Sequence, residues 1–242
     1  MKNIIYEDET ILAVYKPAGI ATQTARPGQQ DMVSELKNYL VKKPEYKGKG
    51  EPYLGIVHRL DQPVSGILVF AKTKQAAAEL GRQIANGKMR KYYYAVICGR
   101  PAMEKGRLED YLSKDTKTNL SSVTAESVPG AKKAVLEYQL IRTLMVLEEN
   151  MQPDEISLVE IKLVTGRHHQ IRVQMSHNDM PLLGDSKYGN SRSRNLSRQV
   201  RCKNVALCAY KLEFYHPAAH KKLLLEKQPD AEIFLPFFNS GL

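Results

Sequence analysis

Apolar residues near the start of the chain fall in short runs of β-branched and aromatic character. Ile4–Tyr6 and Ile11–Tyr15 are two such runs, separated by the polar stretch Glu7-Asp8-Glu9-Thr10, and this pattern predicts a hairpin. Lys16-Pro17-Ala18-Gly19 closes it, because proline fixes φ and glycine admits unusual turns. The spacing changes after Asp31. Met32, Val33, Leu36, Tyr39 and Leu40 share one face of a predicted helix over 31–43, with Asp31 placed to act at its N-terminus. The Lys/Gly-rich stretch 44–52 reads as a loop. Tyr53–Val57 and Gly66–Lys72 read as strands on either side of a tight polar segment. Ala77, Leu80 and Ile84 give 74–86 helical spacing, with Gly87 as its stop. Lys91–Cys98, Ala134–Thr143, Ile156–Leu163 and Cys208–Tyr215 suit strands, and Gln170–His177 suits a helix after a turn at Thr165-Gly166.

Strands outnumber helices in this reading and come in adjacent runs rather than strict alternation. The expected fold class is therefore α+β, a mixed and mainly antiparallel sheet with flanking helices and loops. With no internal repeat and no clear linker, the expectation is one domain over 1–242, with 44–52, 113–130 and 186–203 as its mobile loops.

Composition narrows the class. The 242 residues are 43% hydrophobic and 26% charged, which excludes a disordered or fibrous chain. The longest apolar stretches, such as Gly66–Ala71, fall far short of the roughly 18 residues of a membrane span. Acidic residues in the opening ten positions leave no room there for an export signal. Cys98, Cys202 and Cys208 are too scattered for a disulfide framework and lack the paired spacing of a zinc site. A cytoplasmic chain with no membrane partner and no metal is the expectation.

Charge points to a polyanion. Lys+Arg number 36 against 26 Asp+Glu, a formal net charge of +10. Between Ser186 and Lys203 lie Lys187, Arg192, Arg194, Arg198, Arg201 and Lys203, with no acid among them, and the early part reads as a mobile basic loop. Lys88, Arg90 and Lys91 form a second basic group ahead of the run Tyr92–Tyr94. Such cations would neutralise phosphates, and binding would weaken with salt.

The sharpest chemical feature is His58-Arg59-Leu60-Asp61-Gln62-Pro63-Val64-Ser65-Gly66, a polar turn between two apolar strands. A carboxylate held there beside a guanidinium is preorganised as a nucleophile or base. The same residues would also suit a purely structural Arg–Asp pair. Two further segments bear on the choice. In Lys91-Tyr92-Tyr93-Tyr94-Ala95, strand alternation turns Tyr93 away from its neighbours. In Thr165-Gly166-Arg167-His168-His169-Gln170-Ile171-Arg172, two arginines and two histidines lie close together ahead of the loop Asp179–Gly189. That cluster is costly to a core and natural around an anionic ligand. Adjacent histidines cannot share a helix face as a metal pair would.

Taken in order, these segments resemble the motifs of the RluA-like family of RNA pseudouridine synthases: His58–Gly66 for HRLD-x-x-[TS]-S-G, Lys91–Ala95 for K-x-Y-x-A, and Thr165–Gly189 for TGR-x-HQIR with its following GD-x-x-YG. The resemblance covers about residues 6–216. Val64 replaces a usual Thr, Gln174 a common His, and His168 a common Thr or Ser, which leaves subfamily and substrate open. The resemblance implies a pseudouridine synthase catalytic fold that isomerises uridine in ribosomal or transfer RNA without a cofactor. It implies Asp61 as the catalytic carboxylate, Arg59 in the space of a displaced nucleotide, Tyr93 stacked on the uracil, and Arg172 paired with Asp61. His58, Lys91, Arg167, His169, Gln170, Arg192, Arg194 and Arg198 are the further expected RNA contacts. Only a hairpin and a helix precede the Asp61 motif, so the expectation is a monomer without the family's S4 RNA-binding domain. Asp61 could act at the sugar or at C6 of the base. A non-catalytic RNA-binding protein and a glycosidase are the rival classes; the latter normally needs two carboxylates flanking its bond.

Overall fold

The computed structural model describes residues 3–24, 28–147 and 153–238. In chain order the elements are β1 (Ile4–Glu7), β2 (Ile11–Lys16), α1 (Met32–Val41), β3 (Gly55–Ile56), β4 (Ser65–Ala71), α2 (Lys74–Ala85), β5 (Arg90–Cys98), β6 (Lys105–Asp115) and β7 (Leu120–Thr124). There follow β8 (Lys132–Val146), β9 (Asp154–Leu163), α3 (Gln170–His177), α4 (Ser191–Gln199), β10 (Leu207–Tyr215), β11 (Lys222–Glu226) and a 3-10 turn, Glu232–Phe234, that runs into α5 (Leu235–Phe238). The class is α+β, as the strand-rich pattern predicts. No helix among the described residues is long and apolar enough to cross a membrane.

The residues form two compact units, each taken here by itself. The first runs up to Arg90 and adds Ala209–Lys227. In it β1 pairs with β2, and β2 and β3 each pair with β4, all antiparallel. β4 in turn neighbours β10, which pairs antiparallel with β11. Alternate residues Ile11 and Ala13, Ile67 and Val69, and Leu212 and Phe214 make one packed face, covered by Leu80 and Ala76 of α2. α1 begins where the sequence places it: the Asp31 carboxylate accepts from the Ser34 N–H at 2.8 Å and from the Thr24 N–H at 2.8 Å.

The second unit is Lys91–Cys208 together with the chain from Gln228. Its strands run β5-β9-β8-β6-β7, every neighbouring pair antiparallel. Leu112 and Ala134 pack there with Val173 of α3.

Two of the expected loops are regular structure. The stretch 113–130 contains the end of β6 and all of β7, whose cross-strand ladder runs from Tyr111↔Thr124 to Asp115↔Leu120. The basic stretch 186–203 contains α4. Asn190 caps it by accepting from the Ser193 N–H at 2.8 Å, and Ser193, Leu196 and Ser197 are buried. Small hydroxyl side chains supply most of this buried face, so no apolar stripe announces it in the sequence.

Candidate active site

The Asp61 turn is fastened from both sides within the first unit. Thr22, buried, grips Leu60 twice: its hydroxyl donates to the Leu60 carbonyl at 3.0 Å, and the Leu60 N–H donates back to Oγ1 at 3.2 Å. On the other side of Asp61, the Gly19 N–H donates to the Gln62 carbonyl at 2.8 Å, and the Gln62 amide returns a bond to the Gly19 carbonyl at 3.0 Å. Gly66 closes the motif at φ +131, where a side chain would collide with the backbone of Ala209 at 2.4 Å, so this position admits glycine alone. A carboxylate between two pinned neighbours loses little further freedom when it engages a substrate. Arg59 is exposed, and its side chain makes no hydrogen bond or ion pair among the described residues, two residues before Asp61. His58 has a bracing part: its Nε2 accepts from the Val69 N–H at 3.1 Å and so ties the turn to β4.

Beneath the turn lies a residue that sequence reasoning missed. Lys16 is fully buried, and its ammonium donates to the carbonyls of Pro17, Ile20 and Gln62 at 2.9, 2.7 and 3.1 Å. Desolvation pushes Lys16 down to about 8, and the negative charge of Asp61 works against that shift by favouring the ammonium. The signal for Lys16 was in view: a Lys-Pro-x-Gly turn directly after a fully apolar strand. The linkage has a definite sign. Between about pH 8 and 10.5 the folded chain has released this proton while the unfolded chain still holds it, so stability rises with pH in that window. Denaturant titrations of wild type and Lys16→Met should show the difference between them moving in favour of the wild type as pH rises from 8 to 10.

In the second unit, β5 presents Lys91, Tyr93 and Ala95 on one face. Tyr93 is 6% exposed, so a tyrosine edge rather than a whole ring reaches the surface. Burial pushes Lys91 down to about 8. Tyr94, on the opposite face, packs edge-on against Phe238 at 5.1 Å.

The third motif divides between structural and chemical tasks. Gln170, an expected RNA contact, is buried. Its buried carbonyl oxygen accepts from the Thr165 hydroxyl at 2.8 Å and the Arg167 N–H at 2.9 Å, while its amide nitrogen donates to Val135 and Gln174. It is the clamp that starts α3. His169 is likewise turned inward, in the left-handed region at φ 52. Its Nδ1 lies 2.7 Å from the Tyr188 hydroxyl, and its ring stacks on His168 at 3.7 Å. Arg167 is exposed, anchored by one bond from Nε to the Lys133 carbonyl at 2.8 Å.

Arg172 is 3% exposed. Its Nε and one terminal nitrogen each donate to Asp185 at 2.7 Å, a bidentate pair. Asp185 is thus a partner of Arg172 that the sequence reading did not supply. The Asp185 carboxylate also accepts the backbone N–H groups of Lys187 and Tyr188, and the guanidinium lies 5.1 Å over the Tyr188 ring. Asp185 shapes its loop through these backbone bonds and at the same time fixes the orientation of Arg172.

The three α4 arginines differ. Arg192 is committed to Asp154 through two bonds of 2.5 and 3.2 Å. Arg194 and Arg198 are exposed; among the described residues Arg194 bonds to the Ser186 carbonyl at 3.3 Å and Arg198 to the neighbouring Asn195. No cluster of metal-ligating side chains occurs among the described residues.

Comparison with known proteins supplies independent ground. The family model described as RNA pseudouridylate synthase matches residues 10–177, running through both units. The RNA pseudouridine synthase YhcT of Bacillus subtilis is 35% identical over 226 residues, 93% of this chain and 67% of that protein. Ribosomal large subunit pseudouridine synthase D of Zymomonas mobilis is 33% identical over 237 residues, 97% of this chain and 71% of that protein. Other relatives are named tRNA pseudouridine synthase C. Among solved structures, human RNA Pseudouridylate Synthase Domain Containing 4 superposes with a TM-score of 0.74 at 22% identity, covering 98% of this chain and 92% of that one, a likeness of fold.

Proposed function

The chain belongs to the RNA pseudouridylate synthase family, and from that premise we propose that it isomerises specific uridines of ribosomal or transfer RNA to pseudouridine, with Asp61 as the catalytic carboxylate. The observation that carries the assignment is the doubly pinned turn, which holds Asp61 above the buried Lys16 cation and beside the exposed Arg59.

The reaction breaks the N1–C1′ bond, turns the base and rejoins it through C5. No atom is gained or lost and nothing is oxidised, so the chemistry asks for no cofactor. An ionised carboxylate can attack the sugar or add to C6 of the base, and both routes need it charged and oriented. The base must first leave its stack at a cost of a few kcal/mol. Arg59 is placed to offset that cost by filling the gap and meeting phosphate. Tyr93 is the proposed surface for the extruded uracil, and Arg172, held by Asp185, the proposed guanidinium of the reacting region. We further propose that the two units act as one catalytic domain, a reading supported by the family match that runs through both.

Incubation with unmodified ribosomal and transfer RNA should yield pseudouridine at discrete positions with no free uracil; release of uracil would mark a glycosidase instead. In the same assay, replacing Arg194 and Arg198 together by Gln should raise KM and flatten its salt dependence by about 1.4 in log–log slope for two lost phosphate contacts on a single strand. Thermal stability should stay at the wild-type value, since neither side chain is tied to an acid, whereas Arg192→Gln also loses the Asp154 pair. An unchanged salt slope would reduce α4 to a solvated surface.

A further inference from the structure

The first unit carries a second charged feature, remote from the Asp61 turn. The turn between α2 and β5 and the turn between β10 and β11 enclose a cleft whose lining includes Lys88, Arg90, Tyr215, His220 and Lys222. Lys88, Arg90, His220 and Lys222 are exposed, as is the neighbouring Lys221, and among the described residues Lys88 and Lys221 form no ion pair. Two acids lie among them. Glu79 is engaged by Arg82 at 2.7 Å. Glu213 sits under the rim, its Oε2 buried with no hydrogen-bond donor among the described residues, 3.1 Å from the Lys222 ammonium and 3.9 Å from Arg90. One carboxylate oxygen therefore holds two cationic heads side by side, an arrangement that suits two oxygens of one phosphate.

The floor of the cleft is rigid. Gln83, buried, accepts from the Tyr215 N–H at 2.8 Å and donates to the Tyr215 carbonyl at 2.9 Å, which fixes the backbone of an aromatic residue that is 44% exposed. Cations beside an exposed aromatic side chain on a fixed backbone are the elements of a single-strand nucleic-acid platform on which a base can stack.

Position within the unit favours the same partner. Gly66, at the Asp61 end of β4, abuts Ala209 near the start of β10. At the other end Ala71 pairs with Ile11, and Thr10 lies 3.3 Å from His216, just beyond Tyr215. The cleft and the Asp61 turn thus lie at opposite ends of this sheet, about 20 Å apart over the six-residue rise from Ala209 to Tyr215.

We propose that this cleft is a second RNA-contact site, which grips the phosphodiester backbone and one base of the strand flanking the target uridine. The proposal rests on RNA being the substrate, but its test reads binding rather than product. Fluorescence anisotropy would compare Lys88→Glu/Lys222→Glu with wild type on two labelled oligouridylates, one of roughly 30 nucleotides and one of roughly 5, too short to span both ends. The double variant should weaken the long probe about tenfold or more and lower its salt slope by about 1.4, while the short probe binds as before. Tyr215→Ala should weaken the long probe with an unchanged slope, which keeps the proposal testable if the charge reversals disturb folding. An unaltered affinity for the long probe, or an equal loss on both probes, would overturn it. Asp61→Asn run alongside separates the two readings, because a variant that loses isomerisation yet binds the long probe leaves the cleft proposal standing on its own.

Discussion

If Asp61 is the proposed catalytic carboxylate, Asp61→Asn is expected to lower kcat for pseudouridine formation by about 10⁴-fold or more and to leave RNA affinity at or slightly above the wild-type value. The magnitude follows from the role. An amide is isosteric with the carboxylate but neutral, so it can neither attack nor stabilise positive charge developing at the sugar. The pins on either side of residue 61 run through Thr22, Leu60, Gly19 and Gln62, none of which depends on the Asp61 side chain, so the turn keeps its shape. Removing a negative charge beside a polyanion does not weaken binding. Single-turnover detection of pseudouridine, paired with an RNA-binding titration, checks both halves. Retained isomerisation would remove Asp61 from the reaction, and loss of binding in step with activity would make it a contact residue only.

How much of this could be read beforehand depends on what each residue does with its neighbours. The strands that line the core of the first unit were legible, because Ile11–Tyr15, Gly66–Ala71 and Cys208–Tyr215 are dense in β-branched and aromatic residues. β6 was not. From Lys105 to Glu109 it alternates charged Lys, Arg and Glu with Gly and Leu, and Leu112 is its one buried position, so its ladder with β8 has almost no apolar signature. α4 was hidden because two of its three buried residues are serines. In the site, the Asp61 motif was visible as a polar turn between apolar strands, whereas its support was not. A lysine with 0% exposure contradicts the usual placement of charge, and only three convergent carbonyls make it tolerable. Gln170 and His169 show a second task the sequence did not signal: polar residues in a basic motif read as ligand contacts, while in the structure Gln170 starts α3 and His169 lies against Tyr188.

The same principle sets the largest stability effect. Asp185→Ala strips the carboxylate from a pair whose side chains are 3% and 1% exposed and takes from the buried Arg172 guanidinium its bidentate Asp185 partner. Breaking such a pair from one side costs about 3–5 kcal/mol, more than most single substitutions. The loss includes the two backbone bonds by which Asp185 holds Lys187 and Tyr188. For a chain of this size the expected fall in melting temperature is about 10 °C. A double variant, Arg172→Met/Asp185→Leu, removes both charges and should recover much of that stability, because the desolvation penalty disappears with the pair. Activity should not return with it, since the guanidinium itself is gone. Denaturant midpoints and single-turnover rates, measured on wild type, both single variants and the double, separate the two effects. If the double variant regained isomerisation along with its stability, Arg172 would be a structural residue and no part of the reacting region.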